Sequence, residues 1–133
     1  AQAVIADAEG RLPVSSEAID QFVEGDSSAD GRSSKFLIAA LSGLDRISSA
    51  DRGEYSDRLG LALNRTSRWT RMIGRAAEVE NAALVSILAG LGMQGSSWER
   101  MTPLHLYHIV SSLNRVGLRA EARMIAAEAV ARG

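Results

Sequence analysis

Apolar residues in this chain recur three and four positions apart, in one segment after another. Leu37, Ala40, Leu41 and Leu44 show the spacing, as do Trp69, Met72, Ile73 and Ala76, then Leu106, Ile109, Val110 and Leu113. It puts each set on one face of an α-helix. No sustained alternation of β-branched residues appears, and no Asn-Gly or Asp-Gly joins two such runs. Alanine and leucine carry most of the apolar content and aromatics only 5%, which favours helix over strand. The expected fold is all-α, with six or seven helices as antiparallel hairpins stacked into a short right-handed α-α superhelix.

Capping residues set the expected boundaries. "AQAVIADAEG" reads as a short helix stopped by Gly10 and Pro13. "SSEAIDQFVEG" reads as a second, capped by Ser15 or Ser16, with Ile19, Phe22 and Val23 inward and Gly25 at its end. "GDSSADGRSS" is rich in small polar residues and reads as a flexible loop. It divides an acidic N-terminal segment, residues 1–34, from a helical-hairpin domain, residues 35–133. Within that domain Ser48 and Asp51 resemble a capping box for a helix through Tyr55 and Leu59. Ser67 caps the helix of Trp69. "NAALVSILAGLG" is an apolar helix ended by Gly90 or Gly92. Thr102-Pro103 starts a helix that stops at Gly117, and the last runs from about Arg119 to Arg132 with Ala122, Ile125, Ala126 and Ala129 inward.

A shift of 40 positions aligns two helical pairs, 67–91 and 104–132. Trp69 falls on Ile109, Ile73 on Leu113, Arg75 on Arg115, Ala76 on Val116, Ala77 on Gly117, Ala82 on Ala122, Val85 on Ile125 and Ala89 on Ala129. Periods of this size mark stacked helical hairpins, each too thin to bury its own face. Residues 113–130, "LNRVGLRAEARMIAAEAV", resemble a tetratricopeptide repeat hairpin: leucine then Gly117 closes the first helix, Glu121-Ala122 opens the second, and Ala129 follows Ala122 by seven. Val110 and Ala126 depart from the family pattern. The resemblance implies close-packed helix pairs and a peptide-binding groove built from several repeats. It carries over no binding residues.

Other chemistry is narrowed by composition. The chain has 133 residues, enough for one core, and no cysteine, which removes disulfides, thiol catalysis and cysteine metal sites. Fifteen basic residues against 16 acidic give a net charge of −1, so the whole molecule exerts no long-range pull on nucleic acid or anionic lipid. No apolar run approaches the ~20 residues that span a bilayer, so membrane insertion is not expected. Lys35 is the only lysine, a usage that fits a GC-rich bacterial genome. The start "AQA" fits a processed mature end or a domain of a longer protein, and so bacterial cytoplasm or periplasm, with periplasm favoured if the end is processed.

Three candidate sites remain. Arg68, Arg71 and Arg75 share a helix flank, with Arg65 just before it and Arg115 as counterpart of Arg75. They form either a basic ridge for phosphates, acidic sugars or an acidic partner, or a solvated flank whose long stems cover the core edge. Trp69 belongs to the apolar stripe and is expected inside. The acids of residues 1–34, Asp7, Glu9, Glu17, Asp20, Glu24, Asp26 and Asp30, outnumber Arg11 and Arg32 and offer a partner within the same polypeptide. His105 and His108 lie one turn apart in "HLYH" and are weak candidates for metal, since Glu99 is the one further ligand to suggest. Trp98, in a connector beside Tyr107's helix, is read as a plug between hairpins. Trp69, Ile73, Trp98, Leu113, Gly117, Ala122 and Ala129 are the expected structural residues. Nothing forms a phosphate loop or a nucleophile–base pair, so no cofactor or catalytic residue is assigned. The expected role is a non-catalytic protein–protein interaction or structural module. The alternative is a polyanion binder using the arginines.

Overall fold

The computed structural model describes residues 14–63, 65, 67–93 and 101–132. Among them are seven α-helices, one short 3-10 turn and no strand. The helices are α1 (Ser16–Glu24), α2 (Arg32–Gly43), α3 (Ser49–Leu59), α4 (Arg68–Glu78), α5 (Ala82–Met93), α6 (Pro103–Arg115) and α7 (Arg119–Arg132); the turn, Ala29–Gly31, precedes α2. The protein is all-α. None of the described helices is long and apolar enough to cross a membrane.

Each start signal forms the bond that its chemistry allows. The Ser15, Ser48, Ser67 and Thr102 hydroxyls accept from the backbone N–H of Ala18, Asp51, Thr70 and His105 at 3.2–3.3 Å. Each satisfies one of the donors that a helix start leaves orphaned. Helix ends share a second device. At the ends of α2, α3, α4 and α6 one residue takes positive φ: Asp45 at 57°, Gly60 at 69°, Glu80 at 55° and Gly117 at 89°. Its N–H, and that of the next residue, turn back onto carbonyls of the last turn, as in Gly117 to Asn114 at 3.2 Å and Leu118 to Leu113 at 2.9 Å. This is the Schellman arrangement, in which glycine is favoured because it has no Cβ to clash.

The α4–α5 and α6–α7 turns match bond for bond at Glu80 and Gly117, 37 positions apart. The shift of 40 that aligns residue classes is three longer, slightly less than one turn, and so rotates each face by about 60°. At 37 the pairs Ile73–Val110, Ala76–Leu113, Val85–Ala122 and Ala89–Ala126 coincide, and all eight residues are buried. Neither Gly90 nor Gly92 ends α5, which runs on to Met93.

Packing follows a different order from the chain. α6 is the hub: α2, α4, α5 and α7 all pack on it. α2 packs chiefly on α6 and α7, the last helices in sequence, while α4 packs on α5 and α6. α2 and α6 run parallel. The Arg32 guanidinium donates to the Met101 carbonyl at 2.7 Å near their starts, and the Asn114 amide reaches the Leu44 carbonyl at 3.5 Å at their ends. Surrounded in this way, α2 is buried continuously from Phe36 to Gly43 rather than on the single expected face.

The stretch expected to be a flexible loop is tied at several points. The Asp26 carboxylate accepts the N–H and hydroxyl of Ser28 and of Ser34, at 2.5–2.9 Å. Burial pushes its pKa up, but those four bonds outweigh burial and hold it at about 2. Ser33 N–H caps back to the Ser28 hydroxyl at 2.9 Å, and Lys35 pairs with Asp30 at 3.0 Å. α2 therefore starts at Arg32, and a boundary after residue 34 falls inside its first turn.

Candidate functional site

Local chemistry fixes which face α4 turns outward. Ser67 and Thr70 close a reciprocal capping box: Ser67 N–H donates to the Thr70 hydroxyl at 2.6 Å, and Thr70 N–H to the Ser67 hydroxyl at 3.2 Å. Thr70 is buried by that pairing, together with Ile73, Ala76 and Ala77. Trp69 is half-buried. Its indole N–H donates to the Leu88 carbonyl on α5 at 3.0 Å, and its ring lies 5.1 Å from that of His105 on α6. Trp69 thus bolts α4 to both neighbours, and neither its ring nor its N–H is free to read a base.

The opposite face carries Arg68, Arg71 and Arg75, all exposed. With Met72, Gly74 and Glu78 they line a depression of about 480 Å³. Met72 is 48% exposed, a correction to its expected inward place. The hub helix α6 is covered from several sides, whereas α4 packs chiefly on α5 and α6. Among the described residues no helix packs on its outer flank. Arg65 is exposed in the connector before α4 and Arg115 is exposed in the last turn of α6, but neither lines the depression. Three of the five candidate arginines are therefore brought together.

The acidic segment, as far as it is described, goes elsewhere. The Tyr55 hydroxyl on α3 donates to the Asp20 carboxylate and lies 3.3 Å from the Ser16 carbonyl, with Arg58 3.6 Å from Asp20. Burial, and then the Asp20 carboxylate, push the Tyr55 pKa up to about 12. Asp26 is held by serines and Asp30 by Lys35. Among the described residues no acid of 14–34 pairs with Arg65, Arg68, Arg71 or Arg75. Asp7, Glu9 and Arg11 lie outside the described residues, as do Trp98 and Glu99.

His105 is exposed and His108 half-buried. The His105 ring nitrogen Nδ1 is 2.9 Å from the Thr102 hydroxyl, and the ring meets Trp69. His108 is half-buried, with its ring 5.1 Å from Tyr107 and its Nε2 buried without a hydrogen-bond partner. Burial lowers its pKa; the Arg65 main chain beside it opposes this, and His105 adds to the lowering. Among the described residues no three His, Cys, Asp or Glu side chains gather as a metal site.

Sequence reading missed two features of this region. Arg52 on α3 donates to the Tyr107 hydroxyl at 2.9 Å with its guanidinium 4.9 Å over the ring, and so pins α3 across α6. No spacing joins residues 52 and 107, so no local signal was available. The second is the exposed apolar side of α5, with Leu84 40% and Ile87 60% exposed. A legible signal did exist there, because Ala82–Met93 contains no charged residue.

The seven helices, with no strand among the described residues, place the chain in the all-α class. Comparison with known protein families, curated proteins and solved structures finds no match.

Proposed function

We propose that this chain is a non-catalytic interaction module and that the outer face of α4 receives its partner. One observation carries the reading. Arg68, Arg71 and Arg75 surround a half-exposed Met72 in a single depression, on a helix whose other side is bolted down by Trp69. A methionine offers an adaptable apolar contact. Guanidiniums around it select acidic groups and speed encounter.

Selection from a displayed peptide library with the full chain as bait tests this. Acidic sequences containing an apolar anchor should be enriched, and enrichment should fall at least tenfold with the pair Arg71→Glu and Arg75→Glu or with Met72→Asp. Enrichment indifferent to both changes would put the partner elsewhere.

Polyanion binding is the second reading, favoured by the same three guanidiniums. It predicts binding of heparin or DNA that weakens steeply with salt, and a shallower salt slope once two of these arginines are replaced. Dependence on Met72 separates the readings, since a phosphate or sulfate track does not need an apolar anchor.

A further inference from the structure

Resting on the reading of the α4 face as a partner site, we propose that Glu78 gives this face a polarity, so that it takes an acidic helical segment of another protein that ends in a base. Glu78 is exposed and lines the same depression as Arg68, Arg71 and Arg75. At about 100° per residue the four positions fall within roughly 80° of one another. They lie opposite the buried Ile73, Ala76 and Ala77. The result is one row about 15 Å long, three positive charges followed by one negative. Among the described residues no ion pair joins any of the four.

Helix stability does not account for this order. The first turn of α4 holds two arginines and no acid, and its last residue is Glu78. The helix dipole favours the reverse, acids at the start and bases at the end. Of the four, only Arg75 in the last turn is placed as the dipole favours.

The same order discriminates among occupants. A second copy is a poor one. Two α4 faces paired about a two-fold axis set Arg68 against Glu78, but they also set Arg71 against Arg75 at the centre. A continuous polyanion gains at the arginines and is repelled at Glu78. An acidic segment with a terminal base meets every charge in the row. The intervals along α4, about 4.5 and 6 Å between arginines and about 4.5 Å on to Glu78, are those of helix positions i, i+3, i+7 and i+10. A helical partner repeats them, whichever end carries its base. Met72, at the edge of the row, receives an apolar side chain from between the acids.

Fluorescence anisotropy with the full chain and two labelled helical peptides of equal composition tests this. Both carry three glutamates, one leucine and one arginine. The arginine ends one peptide and sits between the glutamates of the other, so net charge is the same. Wild type should bind the end-base peptide roughly threefold more tightly or better, the effect of one exposed charge pair made rather than lost. Glu78→Arg should abolish that preference. Glu80→Arg makes the same charge change outside the depression and should keep it. Equal affinity of wild type for the two peptides overturns the proposal, as does a preference that survives Glu78→Arg or is lost equally in Glu80→Arg. In those cases the acidic-partner reading still stands if Arg71→Glu weakens both peptides. Binding of neither peptide sinks that reading and the polarity with it. Heparin held more tightly than either peptide, with no discrimination between the two, assigns the face to polyanions and also overturns the proposal.

Discussion

Gly43 on α2 faces Val110 on α6 so closely that a Cβ on the glycine would lie 2.9 Å from the Val110 Cβ and 3.0 Å from the Ser111 nitrogen. The parallel pair depends on that gap. Gly43→Ala should force the helices apart and cost about 1–3 kcal/mol, the usual range for overpacking. Gly53, in the exposed run of α3, meets nothing within 4 Å. Gly53→Ala should instead stabilise by about 0.5–1 kcal/mol, because helix interiors favour alanine over glycine. Urea unfolding of both variants checks the pair; equal effects would mean that the close approach is not limiting.

Glu80 and Gly117 occupy equivalent left-handed positions, but only one is a glycine. A side chain there costs about 1–2 kcal/mol through its Cβ. Glu80→Gly should therefore raise stability by roughly 1 kcal/mol, part of the gain being offset by the entropy of the unfolded glycine. Gly117→Ala should lower it by a similar amount. Asp45→Gly is expected to behave as Glu80→Gly does. Thermal melts of the three variants suffice, and destabilisation in Glu80→Gly would show that its side chain holds the turn by another contact.

What the sequence could and could not tell follows from range. Caps act within four residues, so Ser15, Ser48, Ser67 and Thr102 were readable in advance, and so was the all-α class. Periodicity places Leu37, Ala40, Leu41 and Leu44 of α2 and Ile73 and Ala76 of α4 inward, as they are, but it understates the burial of α2 and misplaces Met72, because it reports an apolar stripe and not the number of neighbours. α2 is enclosed from Phe36 to Gly43, while no described helix lies opposite the half-exposed Met72 on α4. The 40-residue alignment rests on residue classes, whereas the α4–α5 and α6–α7 turns form the same backbone bonds 37 positions apart, and any residue can make such bonds. The grouping of Arg68, Arg71 and Arg75 was legible because it lies on one helix. The Arg52–Tyr107 contact was not, because it joins side chains 55 positions apart on two different helices.

Two groups should write themselves into the pH dependence of stability. The folded Asp26 pKa, at about 2, lies below its ordinary value of 3.8. Its carboxylate therefore stabilises the fold at neutral pH, and that contribution is lost as pH falls from about 4 towards 2. The loss is on the order of 1 kcal/mol after allowance for solvent screening. Asp26→Ala should remove this acid step and lower stability at pH 7. His108 is also depressed, chiefly by burial. The neutral ring is the folded form, so its contribution is complete above its ordinary value of 6.5 and falls away as pH drops below it. His108→Gln should flatten the curve below about pH 6.5 while leaving the acid step of Asp26 in place. Unfolding free energies across pH 2–8 for the three proteins would separate the groups, and an unchanged acid step in Asp26→Ala would remove that carboxylate from the account.

Trp69 should report on the α4 anchor directly. Its indole donates to the Leu88 carbonyl while the ring rests on His105. Trp69→Phe keeps most of the ring but leaves that carbonyl without its partner. The expected loss is about 1–2 kcal/mol, from a hydrogen bond and reduced aromatic area. The three arginines do not share this dependence, since they are exposed on the far face. Arg71→Glu should change stability by less than about 0.5 kcal/mol while weakening acidic ligands. Parallel unfolding and binding titrations of the two variants would distinguish anchor from binding face. If Arg71→Glu unfolded the protein as readily as Trp69→Phe, the arginine flank would be structural and the α4 surface would lose its claim as the site.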